Sequence, residues 1–390
     1  MRYLATLTRI GGSVKGGQGK LSKGAGPLSV DKRSPLLLPS QLALTTGIGV
    51  LGFLATRMDI VWVASGIVAG WLGTSLFARV QGPQAPNVSV RQTGQVLIGV
   101  SLGPTLASQP LGEVVAYLPL LVGAVAAVLA GSILIALAYS RLDGVDGITA
   151  GLATLPGGIG VMASVAAELG RPAPLVALIQ GLRMALVVSI VPVVSVAVHG
   201  GTSESDARPA LLPDDLRSWA IWAVIVVAAF GAWRVAVRLR MTVPALLGPM
   251  AFGVILAAVI PLTGADAGWL ELPFLHSVAG QALLGITVGE YLAQRSRSTR
   301  KVLGGGVIGA LGTFLMAAAM ATALHLVTPW SLLTCLLITA PGGAPEMIVV
   351  AAATSPEDLQ LVVFAQLSRQ IAVNALMPLW LRIFGRFPSS

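Results

Sequence analysis

Long apolar runs alternate with short polar stretches over most of the chain, and each run is long enough to span a membrane as a helix. Two further apolar segments, 147–169 and 331–354, are interrupted by Pro-Gly-Gly. The pattern predicts an all-α polytopic membrane protein, with about five crossings and one broken or re-entrant segment in each half. The predicted spans lie near 37–56, 60–79, 90–107, 115–139, 174–198, 218–237, 243–262, 276–294, 302–326 and 359–382.

Composition agrees with this class of protein. The 390 residues are 55% hydrophobic and 11% charged, whereas a soluble domain carries about 25% charged residues. The net charge of +9 comes from Lys and Arg in the N-terminal tail and the short loops, a distribution that reports membrane orientation rather than nucleic-acid binding. Three scattered His and the single Cys335 predict no metal site, no cofactor and no enzyme.

Shifts in composition divide the chain into five parts. Residues 1–34 form a basic tail that is predicted to be disordered, and 35–198 form a first membrane repeat. An acidic linker, 199–217, leads to a second repeat, 218–384, and to a short tail, 385–390.

Three motifs recur in the same order in the two halves. Gly94-Gln95-Val96-Leu97-Ile98-Gly99 matches Gly280-Gln281-Ala282-Leu283-Leu284-Gly285 at an offset of 186 residues. Thr154-Leu155-Pro156-Gly157-Gly158 matches Thr339-Ala340-Pro341-Gly342-Gly343 at an offset of 185, and the Gln-x-x-Arg motif of Gln180 and Arg183 matches that of Gln366 and Arg369 at 186. The order and spacing predict an internal duplication.

Each Pro-Gly-Gly segment could cross the membrane or turn back within it. Helical arms of about ten residues cover about 15 Å, half of a hydrocarbon core of about 30 Å. Turning back also places the basic loops on one side and the acidic linker on the other. The charge pattern therefore favours five crossings per half, an inverted second repeat, both termini in the cytoplasm and the linker outside.

Arg183 and Arg369 lie about ten residues into their spans, where a charge is costly. They could face a shared cavity and bind a small anion, or they could form structural ion pairs; the two roles can coexist. Broken backbone, threonine hydroxyls and glutamine amides could complete such a site. The candidate substrate-binding residues are Thr154, Pro156, Gly157, Gly158, Gln180, Arg183, Thr339, Pro341, Gly342, Gly343, Gln366, Arg369, Gln95 and Gln281. The glutamines could instead form hydrogen bonds between helices.

Glu346 occurs in the second repeat only, because Val161 stands at the matched position of the first. It follows the break by three residues, so it could be a cap at a helix N-terminus or a coupling site for H⁺ or Na⁺. Its predicted partner is Arg369 or Arg183. Met162 and Met347 are predicted to pack, and glycines such as Gly66, Gly70 and Gly304 to permit close helix packing.

These motifs resemble those of the AbrB family of bacterial integral membrane proteins. The resemblance covers about residues 38–384 and rests on Pro-Gly-Gly-x-x-Glu-Met, Gln-x-x-Arg, Gly-Gln-x-Leu-Leu-Gly and Val243-Pro244-Ala245-Leu246-Leu247-Gly248-Pro249-Met250. The first half departs at Val161 and at Asp59–Gly66. Members are variously labelled as regulators of gene expression or ammonia monooxygenases, and their fold looks like that of inverted-repeat secondary transporters. The resemblance implies a location in the bacterial inner membrane.

Two functions are consistent with this pattern. The leading hypothesis is a secondary transporter of a small anion coupled to H⁺ or Na⁺, with a site between the breaks. The alternative is a membrane-embedded regulator that acts through a partner, for which the basic tail is the obvious soluble contact. The predicted partners are the lipid bilayer, the anion and the coupling ion, without direct nucleic-acid binding. A homodimer is also a possible assembly.

Overall fold

The computed structural model describes residues 34–143, 145–199, 210–264, 270–294 and 300–387, and the regular structure of these residues is helical. The predicted tail and most of the predicted linker lie outside this range. Two short 3₁₀ turns, Ile260–Thr263 and Pro356–Asp358, accompany the α-helices. The α-helices are α1 Leu37–Thr56, α2 Val61–Gln81, α3 Val88–Ala107, α4 Leu111–Ala116, α5 Leu118–Asp143, α6 Gly147–Thr154, α7 Ile159–Glu168, α8 Ala173–His199, α9 Leu216–Arg238, α10 Pro244–Val259, α11 Phe274–Leu292, α12 Arg300–Val327, α13 Leu332–Thr339, α14 Ala344–Thr354, α15 Leu359–Ala375 and α16 Met377–Phe384.

The predicted class, an all-α polytopic membrane protein, is confirmed. Among the described residues, seven helices are long and apolar enough to cross a membrane. They are α1, α2, α5, α8, α9, α10 and α12. The other three predicted spans correspond to α3, α11 and the pair α15 and α16, which form helices but carry more polar residues or are shorter.

Each Pro-Gly-Gly segment folds into a hairpin of two short helices. In the first hairpin, α6 and α7, Asp146 caps the start of α6 and its Oδ1 lies 3.4 Å from Nη1 of Arg171, just beyond α7. In the second, α13 and α14, the hydroxyl oxygens of Thr334 and Ser355 are 2.8 Å apart. Because the two outer ends of each segment meet, each segment turns back at its Pro-Gly-Gly tip, in agreement with the favoured prediction.

The helices pack as two bundles, and both halves of the chain contribute to each. We call α1–α3 with α9–α11 the glycine-packed bundle, in which α2 packs on α11 and α3 on α10. The hairpin bundle contains α4–α8 and α12–α16. The bundles meet where α8 contacts α2 and α11, and where α14 contacts α3.

Small residues hold the glycine-packed bundle together. A methyl group at Gly66 of α2 would lie 2.6 Å from the carbonyl oxygen of Ala282 of α11. At Gly103 of α3 it would lie 2.5 Å from Cα of Gly253. The predicted packing role of Gly66 is confirmed, and Gly70 makes similarly close backbone contacts with α11. The prediction is wrong for Gly304, because a methyl group there would meet no atom within 4 Å.

The consecutive helices α15 and α16 form one rod, and the outer ends of the two hairpins contact opposite ends of this rod. Thr334 lies beside Asp358 at the start of this rod, so the second hairpin opens there. The tip of the first hairpin contacts the middle of the rod, where Gln370 meets Gly157. A methyl group at Gly147, at the outer end of α6, would collide with the backbone of Phe384 at the far end of the rod.

Candidate functional site

At the first break, two side chains from α8 bind the carbonyl groups that the helix leaves free. Arg183 donates from Nη1 to the carbonyl oxygen of Thr154 at 2.6 Å. Gln180 donates from Nε2 to the carbonyl oxygens of Leu152 and Leu155, both at 2.8 Å. A buried carbonyl without a hydrogen-bond partner is costly, so these bonds stabilise a backbone that is buried away from water.

The second break repeats this arrangement with side chains from α15. Arg369 donates from Nη1 to the carbonyl oxygen of Ala340 at 2.7 Å and from Nη2 to that of Gly342 at 2.9 Å. Gln366 donates from Nε2 to the carbonyl oxygen of Leu337 at 2.6 Å, the counterpart of the bond to Leu152. The matching bonds explain the Gln-x-x-Arg motif, since residues three apart share one face of a helix.

Within each motif the glutamine also supports the arginine. Arg183 donates from Nη2 to Oε1 of Gln180 at 2.6 Å, and Arg369 makes the same contact with Gln366. The four side chains are buried, with both arginines only 2% exposed. They therefore act as two matched units that clamp the two tips.

The charges of the two arginines are not neutralised by these bonds. The hydrogen-bond acceptors described above are neutral carbonyl and amide oxygens. The positive charge of Arg369 also disfavours the charge on Arg183. Nε of Arg183 has no hydrogen-bond partner among the described residues. The structural role is thus visible in the bonds, while the excess positive charge is what an anion site requires.

The residue that follows each arginine reaches the opposite hairpin. Gln370 donates from Nε2 to the carbonyl oxygen of Gly157 at 2.7 Å. Met184, at the matched position of the first repeat, lies 2.8 Å from where a methyl group at Gly343 would stand. Gly158 has a φ of +85°, which favours glycine at this turn. These contacts place both breaks at one junction.

Glu346 contacts a different arginine from those predicted. Its Oε1 forms an ion pair with Nη2 of Arg91, on the first turn of α3. The prediction that Arg369 or Arg183 is the partner is wrong, because α3 packs against α14 while both of those arginines are held by the breaks. The ion pair therefore joins the glycine-packed bundle to the hairpin bundle.

The threonine hydroxyls at the breaks bond to the protein itself. Thr154 donates from Oγ1 to the carbonyl oxygen of Ala150 at 2.9 Å. The single hydroxyl proton of Thr339 can be donated to the carbonyl oxygen of Ala317 or of Cys335, which lie 2.9 Å and 3.0 Å from its Oγ1. Their protons are engaged, and only their oxygen lone pairs could contribute to binding.

The remaining candidates separate into two places. Pro156, Gly157, Pro341, Gly342 and Gly343 are buried at the tips. The methionines pack there as predicted, with Met347 lying 2.6 Å from the position of a methyl group at Gly342 and Met162 similarly close to Gly157.

Gln95 and Gln281 instead belong to α3 and α11, in the glycine-packed bundle. Gln281 donates to the hydroxyl of Ser277 at 3.3 Å on its own helix. The structure does not bring these two glutamines into the clusters around Arg183 and Arg369, and their part in a cavity stays a prediction.

Sequence reasoning missed Arg91, Gln370 and Tyr291. The phenol of Tyr291 lies in the electrostatic field of Arg91, Glu290 and Glu346. One signal was available: the repeat alignment places Ser277 opposite Arg91. Arg91 of the first half and Glu346 of the second half thus have no charged counterpart in the other half.

Comparison with known proteins identifies the family. The family profile described as "Transition state regulatory protein AbrB" matches residues 62–385. The chain belongs to the AbrB family. It is similar to "Uncharacterized protein YhjN" of Bacillus subtilis (strain 168), with 29% identity over 82% of this chain and 88% of that protein. It is also similar to "Putative regulator AbrB" of Escherichia coli (strain K12), with 21% identity over 90% of this chain and 98% of that protein.

Proposed function

We propose that this AbrB-family protein is a secondary transporter of a small anion, coupled to H⁺ or Na⁺. The observation that carries the proposal is the pair of buried arginines, Arg183 and Arg369, at two broken hairpins that meet at one junction. The substrate would bind between the two tips, and one bundle would move against the other around it.

Electrostatics supports an anion as the substrate. Each buried arginine costs about 2.5 kcal/mol or more at the centre of a bilayer, and the charge of Arg369 further disfavours that of Arg183. Neutral acceptors satisfy N–H groups without reducing the net charge. A carboxylate, phosphate or similar anion would reduce both the cost of burying each charge and the unfavourable effect of one positive charge on the other. A planar guanidinium group binds such oxygens well.

The arrangement of hairpins supports transport. One hairpin opens toward each end of the rod of α15 and α16, and both tips reach its middle. In a transporter with the predicted inverted repeat, each hairpin would face the entrance on its own side of the membrane. The close glycine contacts of α2 with α11 and of α3 with α10 favour a rigid glycine-packed bundle as the fixed partner.

The regulatory alternative is supported by names: the family description and the Escherichia coli relative both carry the word regulator or regulatory. A regulator that signals through the basic tail should fail when residues 1–34 are removed. A transporter should keep ligand binding and uptake after the same deletion. The two functions are thereby separable in one variant.

The direct test is a thermal-shift screen of the purified protein against acetate, succinate, citrate, phosphate and sulfate, with Na⁺ and pH varied. A ligand at 100 times its dissociation constant stabilises the native state by about 2.7 kcal/mol. We expect at least one anion to raise the unfolding temperature of the wild-type protein. No response to a wide set of small anions, in any Na⁺ or pH condition, would contradict the proposal.

A further inference from the structure

The ion pair between Arg91 and Glu346 is a contact between the two bundles. Arg91 belongs to α3 of the glycine-packed bundle, and Glu346 belongs to the first turn of α14, directly after the second break. The Glu346 side chain is completely buried and that of Arg91 is 12% exposed. Any movement of one bundle against the other near this point has to separate or carry these two charges.

The ion pair has no counterpart in the other half of the chain. Val161 and Ser277 occupy the matched positions in the other half, so the equivalent place there holds no ion pair. The two hairpins nevertheless share their caps, their clamps and their packed methionines. A feature present once in an otherwise matched frame is better explained by a role in function than by a need of the fold.

Two polar atoms of the ion pair also lack hydrogen bonds. The contact joins Nη2 of Arg91 to Oε1 of Glu346. Nη1 of Arg91 and Oε2 of Glu346 have no hydrogen-bond partner among the described residues. A buried ion pair is strongly favourable only when its remaining donors and acceptors are bonded. One carboxylate oxygen of this pair is therefore available to bind a small cation, and one N–H group is available to bind an anion.

Other charged groups surround the pair. Tyr291 of α11 interacts electrostatically with Arg91 and Glu346, and with Glu290, whose Oε2 accepts a hydrogen bond of 2.7 Å from the backbone N–H of Asn87. Among the side chains that the structure describes, the charged or titratable residues on the elements that pack against α14 are Arg91 on α3, Arg183 on α8, Arg369 on α15, Cys335 on α13, and Glu357 and Asp358 in the 3₁₀ turn at the outer end of the hairpin.

We propose that Arg91 is a tethered cation that competes with H⁺ or Na⁺ for Glu346, an inference that rests on the proposed function. Without the coupling ion, Arg91 occupies the carboxylate and holds α3 against α14. When H⁺ or Na⁺ takes the carboxylate, Arg91 is released and the two bundles are free to move. The charge of Arg91 then adds to those of Arg183 and Arg369 and raises the affinity of the junction for an anion. Such coupling is reciprocal, so the bound anion favours the bound cation.

The test uses cations alone and needs no anionic substrate. Thermal unfolding of purified wild-type, R91Q, E346Q and R91Q/E346Q proteins is followed while Na⁺ replaces choline at constant chloride, and separately while the pH is lowered in choline. Removal of the competitor in R91Q should lower the half-saturating Na⁺ concentration about tenfold, or raise the midpoint pH by about one unit, which is about 1.4 kcal/mol. E346Q and the double variant should lose the Na⁺ response, and they should keep only the part of the pH response that comes from other groups, such as Asp358.

Two controls keep this test decisive. R141Q removes an exposed arginine from the end of α5 and should leave both titrations as in the wild type. R91K keeps the cation but loses the guanidinium fork, so its midpoint should lie between those of wild type and R91Q. If the R91Q protein does not accumulate in the membrane, R91K takes its place in the test. The proposal is overturned if R91Q, or R91K in its place, is destabilised equally at every Na⁺ concentration and pH. The anion screen would stand in that case, so failure here is distinct from failure of the proposed function.

Discussion

Gln370 donates a hydrogen bond of 2.7 Å to the carbonyl oxygen of Gly157, a residue 213 positions earlier in the chain. The bond fastens the tip of the first hairpin to α15, the helix whose Arg369 clamps the tip of the second. One helix of the second half thus contacts both breaks, and the junction depends on residues from both halves.

The first prediction concerns this bond. Gln370→Leu leaves the buried carbonyl of Gly157 without a partner, and such a loss costs about 1–3 kcal/mol. We expect a lower unfolding temperature in the purified protein. Gln109→Leu is the matched control, because Gln109 donates to the carbonyl oxygen of Pro356 at 3.4 Å on the exposed surface. Equal unfolding temperatures for the two variants would show that the bond contributes little.

The second prediction separates the two roles of the arginines. Arg183→Ala leaves the carbonyl oxygen of Thr154 without a partner, and Arg369→Ala leaves that of Gly342 without one, while the carbonyl oxygen of Ala340 keeps the N–H of Gly342. Each variant should therefore lose about 1–3 kcal/mol of stability. Both variants should lose the stabilisation by the anion found in the screen. Membrane accumulation and thermal unfolding with and without that anion measure both effects. An undiminished anion response in either variant would exclude that arginine from the site.

Arg183→Lys and Arg369→Lys provide the matched controls for this pair. Lysine keeps the charge, but it lacks the planar fork that can bond a carbonyl and an anion together. We expect these variants to accumulate better than the alanine variants and to show a weakened anion response. If alanine and lysine variants lose stability and anion response alike, the arginines act mainly as structural clamps.

The third prediction is the topology. The N-terminus and C-terminus should lie in the cytoplasm and the linker 199–217 outside, because the basic loops then share one side. Reporter fusions after residues 34, 207 and 390 test this arrangement. A cytoplasmic signal at residue 207 would contradict both the count of five crossings per half and the inverted repeat.

Much of the fold could be predicted from the sequence because its signals are local. Apolar runs placed the spans within a few residues of the helices, and Pro-Gly-Gly marked both hairpin tips. The motif Gln-x-x-Arg identified the residues that clamp the breaks, because polar groups in apolar helices are costly unless they have a defined partner.

The partners of these residues could not be predicted in the same way. The pairing of Arg91 with Glu346 depends on α3 packing against α14, and the bond from Gln370 to Gly157 depends on how the two halves interleave. Spacing along one chain does not specify which helices of the two repeats become neighbours. Arg91 lies near the start of its span, so its charge was readily attributed to a loop.

The fourth prediction concerns pH at the outer end of the second hairpin. Partial burial and the charges of Glu357 and Glu113 raise the pKa of Asp358, although a hydrogen bond from Thr334 opposes the shift. The native state therefore favours the protonated form. Stability is highest below the ordinary pKa of aspartate, falls as the pH rises to the raised pKa, and stays lower above it.

Asp358→Asn removes this charge and keeps an oxygen that can accept from Thr334. We expect a higher unfolding temperature than in the wild type at neutral pH, and a difference that shrinks in acid. Glu168→Gln, at the exposed end of the first hairpin, is the control and should show no such pH dependence. A difference that stays constant with pH would mean that the charge of Asp358 is not the cause.

The fifth prediction concerns Glu346. Glu346→Gln keeps the shape of the side chain and an oxygen that Arg91 can contact, but it removes the charge for which H⁺ or Na⁺ competes. The protein should accumulate in the membrane, and binding of the anion found in the screen should lose its dependence on pH or Na⁺. In proteoliposomes, exchange of the labelled anion should continue while accumulation against a gradient stops, since exchange needs only the anion site and uphill transport needs the coupled cation. Uphill uptake equal to that of the wild type would remove the coupling role and leave Glu346 as a charged group at a helix N-terminus.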